Sequence, residues 1–400
     1  MRLAAGARKQ TSAALGAAPI GRVGGWARLA VWALLGSLLV FSGTPPELRV
    51  RQVTAPYAFR LLDWELGRLG ERGGRLVWGL IEPAGGIDSP AREAVARFFR
   101  APRPMREPFR PEAEAAIERA LTADLAAEGL GIPISTAPTS GIVFPPVSFS
   151  FTAPPQVLIV SPRDRIAVSQ SELVRSDMTV GQAQTLEAEV ERLDVASLVV
   201  PIGGLATYPA IVLEDHRPLD AMIGVAHEWI HGYFFFHPLG RAYWSSQAAR
   251  MINETAADMA SRELGERLAD QLRLEDASYQ RADPGRPEQV GRQTGRDFRS
   301  LIRAARLRVD ELLAAGHVEE AEAYMRERRD DLAASGYEIR KLNQAYFAFY
   351  GSYGDSAAGA SPIPGRLRRL RDNSSSLGEF LRRVARLTSG DDLARAVGDA

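Results

Sequence analysis

The sequence predicts an α+β fold in which a small sheet is followed by helices. Three observations lead there. Strand-length apolar runs are confined to residues 156–213, helical patterns take over from about Pro218 onward, and no internal repeat is present. With 400 residues, 46% hydrophobic and 24% charged, the chain has ordinary globular composition and room for one large domain or two smaller ones.

The elements follow in chain order. Residues 1–28 carry Arg2, Arg8, Lys9, Arg22 and Arg28 and no acidic residue. An apolar run from Leu29 to Phe41 follows and ends at Ser42-Gly43-Thr44-Pro45-Pro46. This pattern predicts a basic cytoplasmic tail (1–28) and one N-terminal transmembrane helix or signal (29–43), with the remaining chain exported. Lipid bilayer is then a partner through that helix. Cleavage after Ser42 would instead release a secreted protein, and a buried core helix is the competing account. Residues 50–130 read as helical, with segments at Val50–Leu69, Ala91–Phe99 and Pro111–Leu130 and a Pro/Arg-rich connector from Ala101 to Pro111. Residues 131–155 are rich in Pro, Ser and Thr and are expected to be a linker.

Strands are expected at Gln156–Ser161, Ile166–Ser169, Ala196–Pro201 and Ala206–Leu213, with an amphipathic helix over Thr179–Leu193. Pro209 cannot donate to a neighbour, which predicts that the last strand lies at a sheet edge. Residues 156–264 form the expected core, and 265–400 a helical C-terminal region.

Composition excludes several chemistries. The chain has no cysteine, so disulfides, thiolate nucleophiles and cysteine metal sites are out. Lys+Arg and Asp+Glu balance at 49 each, which gives no reason to expect nucleic acid as a partner. Four of the five histidines, His216, His227, His231 and His237, lie close together in sequence, and imidazole chemistry is concentrated there.

Residues 221–236 read AMIGVAHEWIHGYFFF, a strongly apolar helix. His227 and His231 are four apart and share one face, one turn above the other. That spacing lets both imidazoles bind a single Zn²⁺, and Glu228 stands beside the first ligand where a carboxylate can act as general base toward water. The competing account is a pair of satisfied histidines on a buried helix. A second helix, INETAADMASREL over 252–264, carries Glu254 and Asp258 on one side. Glu254 can complete a His₂Glu site for one zinc per chain, and Asp258 can accept a ligand histidine's free ring N–H. Taken alone, both acids read better as solvated helix charges; their place in a helix just downstream of His227-Glu228-x-x-His231 turns the reading toward the metal.

His227-Glu228-x-x-His231 followed by Asn253-Glu254-x-x-x-Asp258 resembles the gluzincin pattern of thermolysin-like zinc metallopeptidases, over about 110 residues. The resemblance implies a zincin-like core: a small mixed sheet whose edge strand binds substrate, above a perpendicular pair formed by the active-site helix and the glutamate helix. It also implies peptide or protein substrates, and Asn253 and Asp258 as supports of the metal ligands. The G-x-M-E-N signature of zinc aminopeptidases is absent, so N-terminal trimming is not implied. The expected function is a membrane-tethered zinc metallopeptidase. The alternatives are a non-catalytic zincin-fold assembly protein and a zinc hydrolase of another amide.

A hydrolase also needs a donor for the developing oxyanion. The candidates are His237 and the aromatic segment carrying Tyr346, Tyr350 and Tyr353, which reads otherwise as helix packing. Tyr208, on the expected edge strand, is a candidate substrate contact.

Overall fold

Helices α1 (Pro45–Thr54), α2 (Ser89–Arg100) and α3 (Arg110–Ala127) lead the described chain, with a further helical stretch over residues 61–68. The computed structural model describes residues 45–68, 88–133, 141–214, 217–274, 298–351 and 361–399. Helix α2 starts where Asp88 accepts the Ala91 N–H at 2.9 Å, a cap that contributes about 1 kcal/mol. The connector between α2 and α3 holds two short 3₁₀ turns, Arg103–Met105 and Glu107–Phe109.

The expected linker is structured. It contains β1 (Gly131–Pro133), β2 (Gly141–Val143) and β3 (Phe149–Phe151). Strands β1 and β2 pair antiparallel, and β3 is buried along its length. Its Pro and Ser content misled because proline is tolerated at the ends of short strands, as at Pro133 of β1.

Two larger strands follow, β4 (Gln156–Pro162) and β5 (Gln170–Val174). The strand expected at Ile166–Ser169 lies four residues further on; Ile166 and Val168 pack instead against the core of the later helices. Next come α4 (Val180–Glu191) and β6 (Val195–Pro201). Helix α4 begins with a capping box: Thr179 Oγ1 accepts the Gln182 N–H at 3.3 Å, and Gln182 Oε1 accepts the Thr179 N–H at 2.9 Å. Strand β4 lies between β5 and β6, antiparallel to both. Its Leu158 and Val160 meet α1 and α4 on one face, while Ile159 faces the opposite layer. Burial on both faces explains the unbroken apolar run of this strand.

The expected edge strand at 206–213 is reduced to β8 (Ala210–Val212), and a short β7 (Gly204–Leu205) precedes it. Here β8 is the middle strand, parallel to β3 and antiparallel to β7. Pro209 falls just before β8, so it removes no donor from the ladder. The single sheet expected from sequence is therefore three: β1–β2, β3–β8–β7 and β5–β4–β6. The outer side of β3 is closed by α3, where Glu118 and Glu114, one helical turn apart, accept the N–H groups of Phe149 (3.0 Å) and Phe151 (2.8 Å).

The rest of the described chain is helical: α5 (Pro218–Phe235), α6 (Pro238–Ala242), α7 (Gln247–Leu272), α8 (Phe298–Ala314), α9 (Val318–Ala334), α10 (Gln344–Tyr350), α11 (Ile363–Asp372), α12 (Leu377–Val384) and α13 (Gly390–Ala396). The largest core joins α2, α3, β3 and β8 to α5, α7 and the three C-terminal helices. Helices α8 and α9 form a second core with α10, which also covers the free face of β4 and β6. Two ion-pair clusters pin the later helices to the β4 sheet. The buried Glu187 carboxylate accepts the Val199 N–H at 2.6 Å and both Arg340 Nη groups. Arg163 spans Glu322 and Asp194.

The α+β class holds, but the transmembrane helix does not stand. No helix among the described residues is long and apolar enough to cross a membrane. Residues 29–43, where that helix was expected, lie outside the described residues.

Candidate metal centre

The site is built on α5 and α7. Helix α5 is held with its apolar face inward: Met222, Ala226, Ile230 and Phe234 are buried, each large side chain contributing roughly 1.5–3 kcal/mol. Trp229 Nε1 donates to the Pro145 carbonyl at 2.9 Å and its ring stacks on Tyr233. These contacts fix the rotation of α5 about its axis, so His227 and His231 project together toward α7.

Three contacts set the register of the two helices. Gly265 on α7 lies against Ile223, where an added Cβ would sit 2.7 Å from the Ile223 nitrogen. Four residues along α5, His227 Nδ1 is 3.3 Å from Asp258 Oδ1. Four further, His231 Nδ1 is 2.7 Å from Asn253 Oδ1. Ascending positions on α5 meet descending positions on α7 over more than two turns. The pair runs side by side in antiparallel sense, whereas the resemblance implied perpendicular helices.

The inward-facing atoms of His227, His231 and Glu254 lie within 4.8 Å of one another, in an arrangement able to hold a metal ion. The two Nε2 atoms are 2.9 Å apart. Glu254 Oε2 stands 3.4 Å from His231 Nε2 and 3.9 Å from His227 Nε2. Each Nδ1 faces an oxygen acceptor, on Asp258 or Asn253, which places the ring proton of a neutral imidazole on Nδ1 and its lone pair on Nε2. Two lone pairs and a carboxylate oxygen then converge on one point. They repel unless a cation sits among them. A proton on one ring answers only part of this; a divalent ion answers all three donors, and their N₂O chemistry suits zinc.

The protein's own charges supply that partial answer. Burial depresses the His227 imidazole, helped by neighbouring His231. Burial opposes charging of His231 as well, but Glu254 outweighs it, so this ring is pulled above the usual histidine range. Burial likewise pushes Glu254 up, and the two histidines overcome it and hold the carboxylate ionised. For Glu228 the compensation falls short. Burial, reinforced by the charges of Glu254 and Asp258 against the opposing pull of His231, pushes its carboxyl up to about 8.

Glu228 is positioned from the sheet. An added Cβ on Gly204 of β7 would stand 2.3 Å from Glu228 Oε1, so the carboxylate packs directly on the strand's backbone. Only glycine admits that approach. Strand β8 lies over the same helix, with Val212 against Gly224.

The other candidates fall elsewhere. Tyr208, between β7 and β8, buries a hydroxyl with no hydrogen-bond partner; burial and then Glu118 of α3 raise its phenol. His237 occupies the residue before α6, and its Nδ1–H donates to the Tyr233 carbonyl at 2.8 Å. Tyr346 and Tyr350 contact each other with ring centroids 4.6 Å apart and pack between the β4 sheet and the α8–α9 core. Tyr353 lies outside the described residues. The tyrosine bonded into the cluster, among the described residues, is Tyr243, whose hydroxyl donates to Glu254 Oε1 at 2.6 Å. No periodicity points to Tyr243, because it lies on the turn between α6 and α7. Gly204 did carry a signal: a Gly-Gly pair beside a short strand marks a close backbone approach.

Comparison with protein-family models, with curated proteins and with solved structures returned no match to this chain.

Proposed function

We propose that the protein is a zinc-dependent metallopeptidase whose metal is held by His227, His231 and Glu254. The observation that carries the reading is the convergence of two Nε2 lone pairs and one carboxylate oxygen, with each Nδ1 turned to an oxygen acceptor. Bound there, Zn²⁺ supplies Lewis acidity toward a carbonyl and toward water. Glu228 is the general base. Its carboxyl lies next to the first ligand and has its proton affinity raised by burial, the property a base near neutral pH needs.

The peptide nature of the substrate is supported by β7. Among the described residues this strand has one partner, β8, and the far side of the sheet is closed by Glu114 and Glu118. An extended peptide pairing along β7 would pass its backbone beside Glu228, which touches Gly204.

The test uses the full chain. Wild type should hold about one zinc per chain and cleave members of a broad peptide library. Glu228→Gln should keep the zinc and lose cleavage, on the order of 10²–10⁴-fold as for other general bases. Undiminished cleavage by Glu228→Gln rejects the mechanism. A wild type that binds zinc and cleaves nothing favours the assembly-protein alternative.

A further inference from the structure

The two oxygens of Glu254 have different neighbours. Oε2 faces the histidine nitrogens at 3.4 and 3.9 Å, while Oε1 accepts the Tyr243 hydroxyl at 2.6 Å. A hydrogen bond to a carboxylate is stronger than one between neutral groups, and this one is buried with its acceptor, Glu254 being 6% exposed. The Tyr243 ring is itself clamped. The Arg250 guanidinium stands 5.2 Å from its centroid, and Trp244 meets it edge-on at 4.8 Å. The donor is therefore fixed in place, on a turn belonging to neither ligand helix, and the carboxylate cannot rotate without losing it.

Resting on the zinc-site reading above, we infer that Tyr243 is a positioning residue that restricts Glu254 to one metal-binding oxygen. A free carboxylate can turn both oxygens to a cation, which raises the coordination number and suits metals other than zinc. With Oε1 held by Tyr243, the protein offers two nitrogens and one oxygen and leaves the fourth tetrahedral position for substrate or water. Tyr243 thus contributes to metal choice and to the open position through Glu254, whose Oε1 takes its hydroxyl hydrogen bond.

The experiment compares full-length wild type, Tyr243→Phe and Glu254→Gln. Zn²⁺ affinity is read by competition with a chromophoric chelator, and geometry by the visible bands of the Co²⁺-loaded chains. Tyr243→Phe removes one oxygen and keeps the ring. It should weaken zinc by about 10- to 100-fold, the usual loss when a ligand's supporting partner is removed. Its Co²⁺ bands should weaken, as four-coordinate geometry gives way to a higher coordination number. A Tyr243→Phe chain with wild-type affinity and wild-type Co²⁺ bands overturns the inference while leaving the metal site in place. A wild type that takes up neither ion overturns the site and the inference together. X-ray absorption on zinc-loaded wild type decides the matter even if the variant does not fold: one carboxylate oxygen at the metal supports the inference, and a two-oxygen Glu254 refutes it.

Discussion

Replacing Gly204 with alanine isolates the contact that positions the proposed base. The new Cβ would fall 2.3 Å from Glu228 Oε1, 2.7 Å from Cδ and 2.8 Å from Cγ. Non-bonded carbon contacts settle at roughly 3.5–4.0 Å, so the carboxylate must retreat by about 1 Å. The obstacle is a side chain rather than backbone, and the fold has only to let that side chain move. A misplacement of about 1 Å at a reacting group costs on the order of 10²-fold in rate, equivalent to about 2.7 kcal/mol of barrier. His227, His231 and Glu254 are untouched by the change. Gly204→Ala should therefore keep wild-type zinc content and a thermal midpoint within a few degrees, with kcat/KM reduced about 100-fold. The assay is a quenched-fluorescence peptide taken from the library digest, run beside metal analysis by mass spectrometry. Wild-type turnover by Gly204→Ala would show that β7 does not set the position of Glu228.

Two further outcomes concern the frame around the site. Gly265→Ala places a Cβ 2.5 Å from Ile223 Cγ1 and 2.7–2.8 Å from Ile223 backbone atoms, which cannot yield. Parting α5 from α7 should cost about 1–3 kcal/mol, more than the roughly 1 kcal/mol that alanine gains over glycine in a helix. A lower urea midpoint is expected; an unchanged or higher midpoint rejects the close helix contact. The second outcome is pH dependence. Burial pushes the Glu187 carboxyl up, yet Arg340, Lys341 and the Val199 N–H outweigh it and hold it below its ordinary value of 4.5. A depressed folded pKa contributes stability that is present above the ordinary value and is lost as pH falls through the folded one. Denaturation midpoints should thus decline more steeply below about pH 4.5 in wild type than in Glu187→Gln. Parallel acid profiles for the two chains would show that Glu187 does not contribute to this acid sensitivity.

Part of this arrangement is legible from spacing alone. Four-residue separations on a helix place side chains on one face whatever the fold, which pairs His227 with His231 and Glu254 with Asp258. Strands β4 and β6 and the capped helix α4 are legible for the same reason, since each is announced by a local period or cap. The edge strand is not. Residues 206–213 hold a strand, but its central place depends on β3, some 60 residues earlier and inside a segment that reads as linker. The membrane helix was an inference from composition, and no described helix meets its physical requirement.

The sequence by itself determined the donor chemistry: two imidazoles and a carboxylate on helical faces, no thiol, and a glutamate beside the first histidine. Tertiary structure decided how those donors are used. The antiparallel register of α5 and α7 turned each Nδ1 to an oxygen and left both Nε2 atoms facing inward. The turn before α7 brought Tyr243 to one oxygen of Glu254, and β7 brought Gly204 against Glu228. Helical periodicity is local and repeats every few residues, so it can be read from spacing. Which nitrogen, which oxygen and which glycine meet depends on packing between segments far apart in sequence, and spacing carries no record of that.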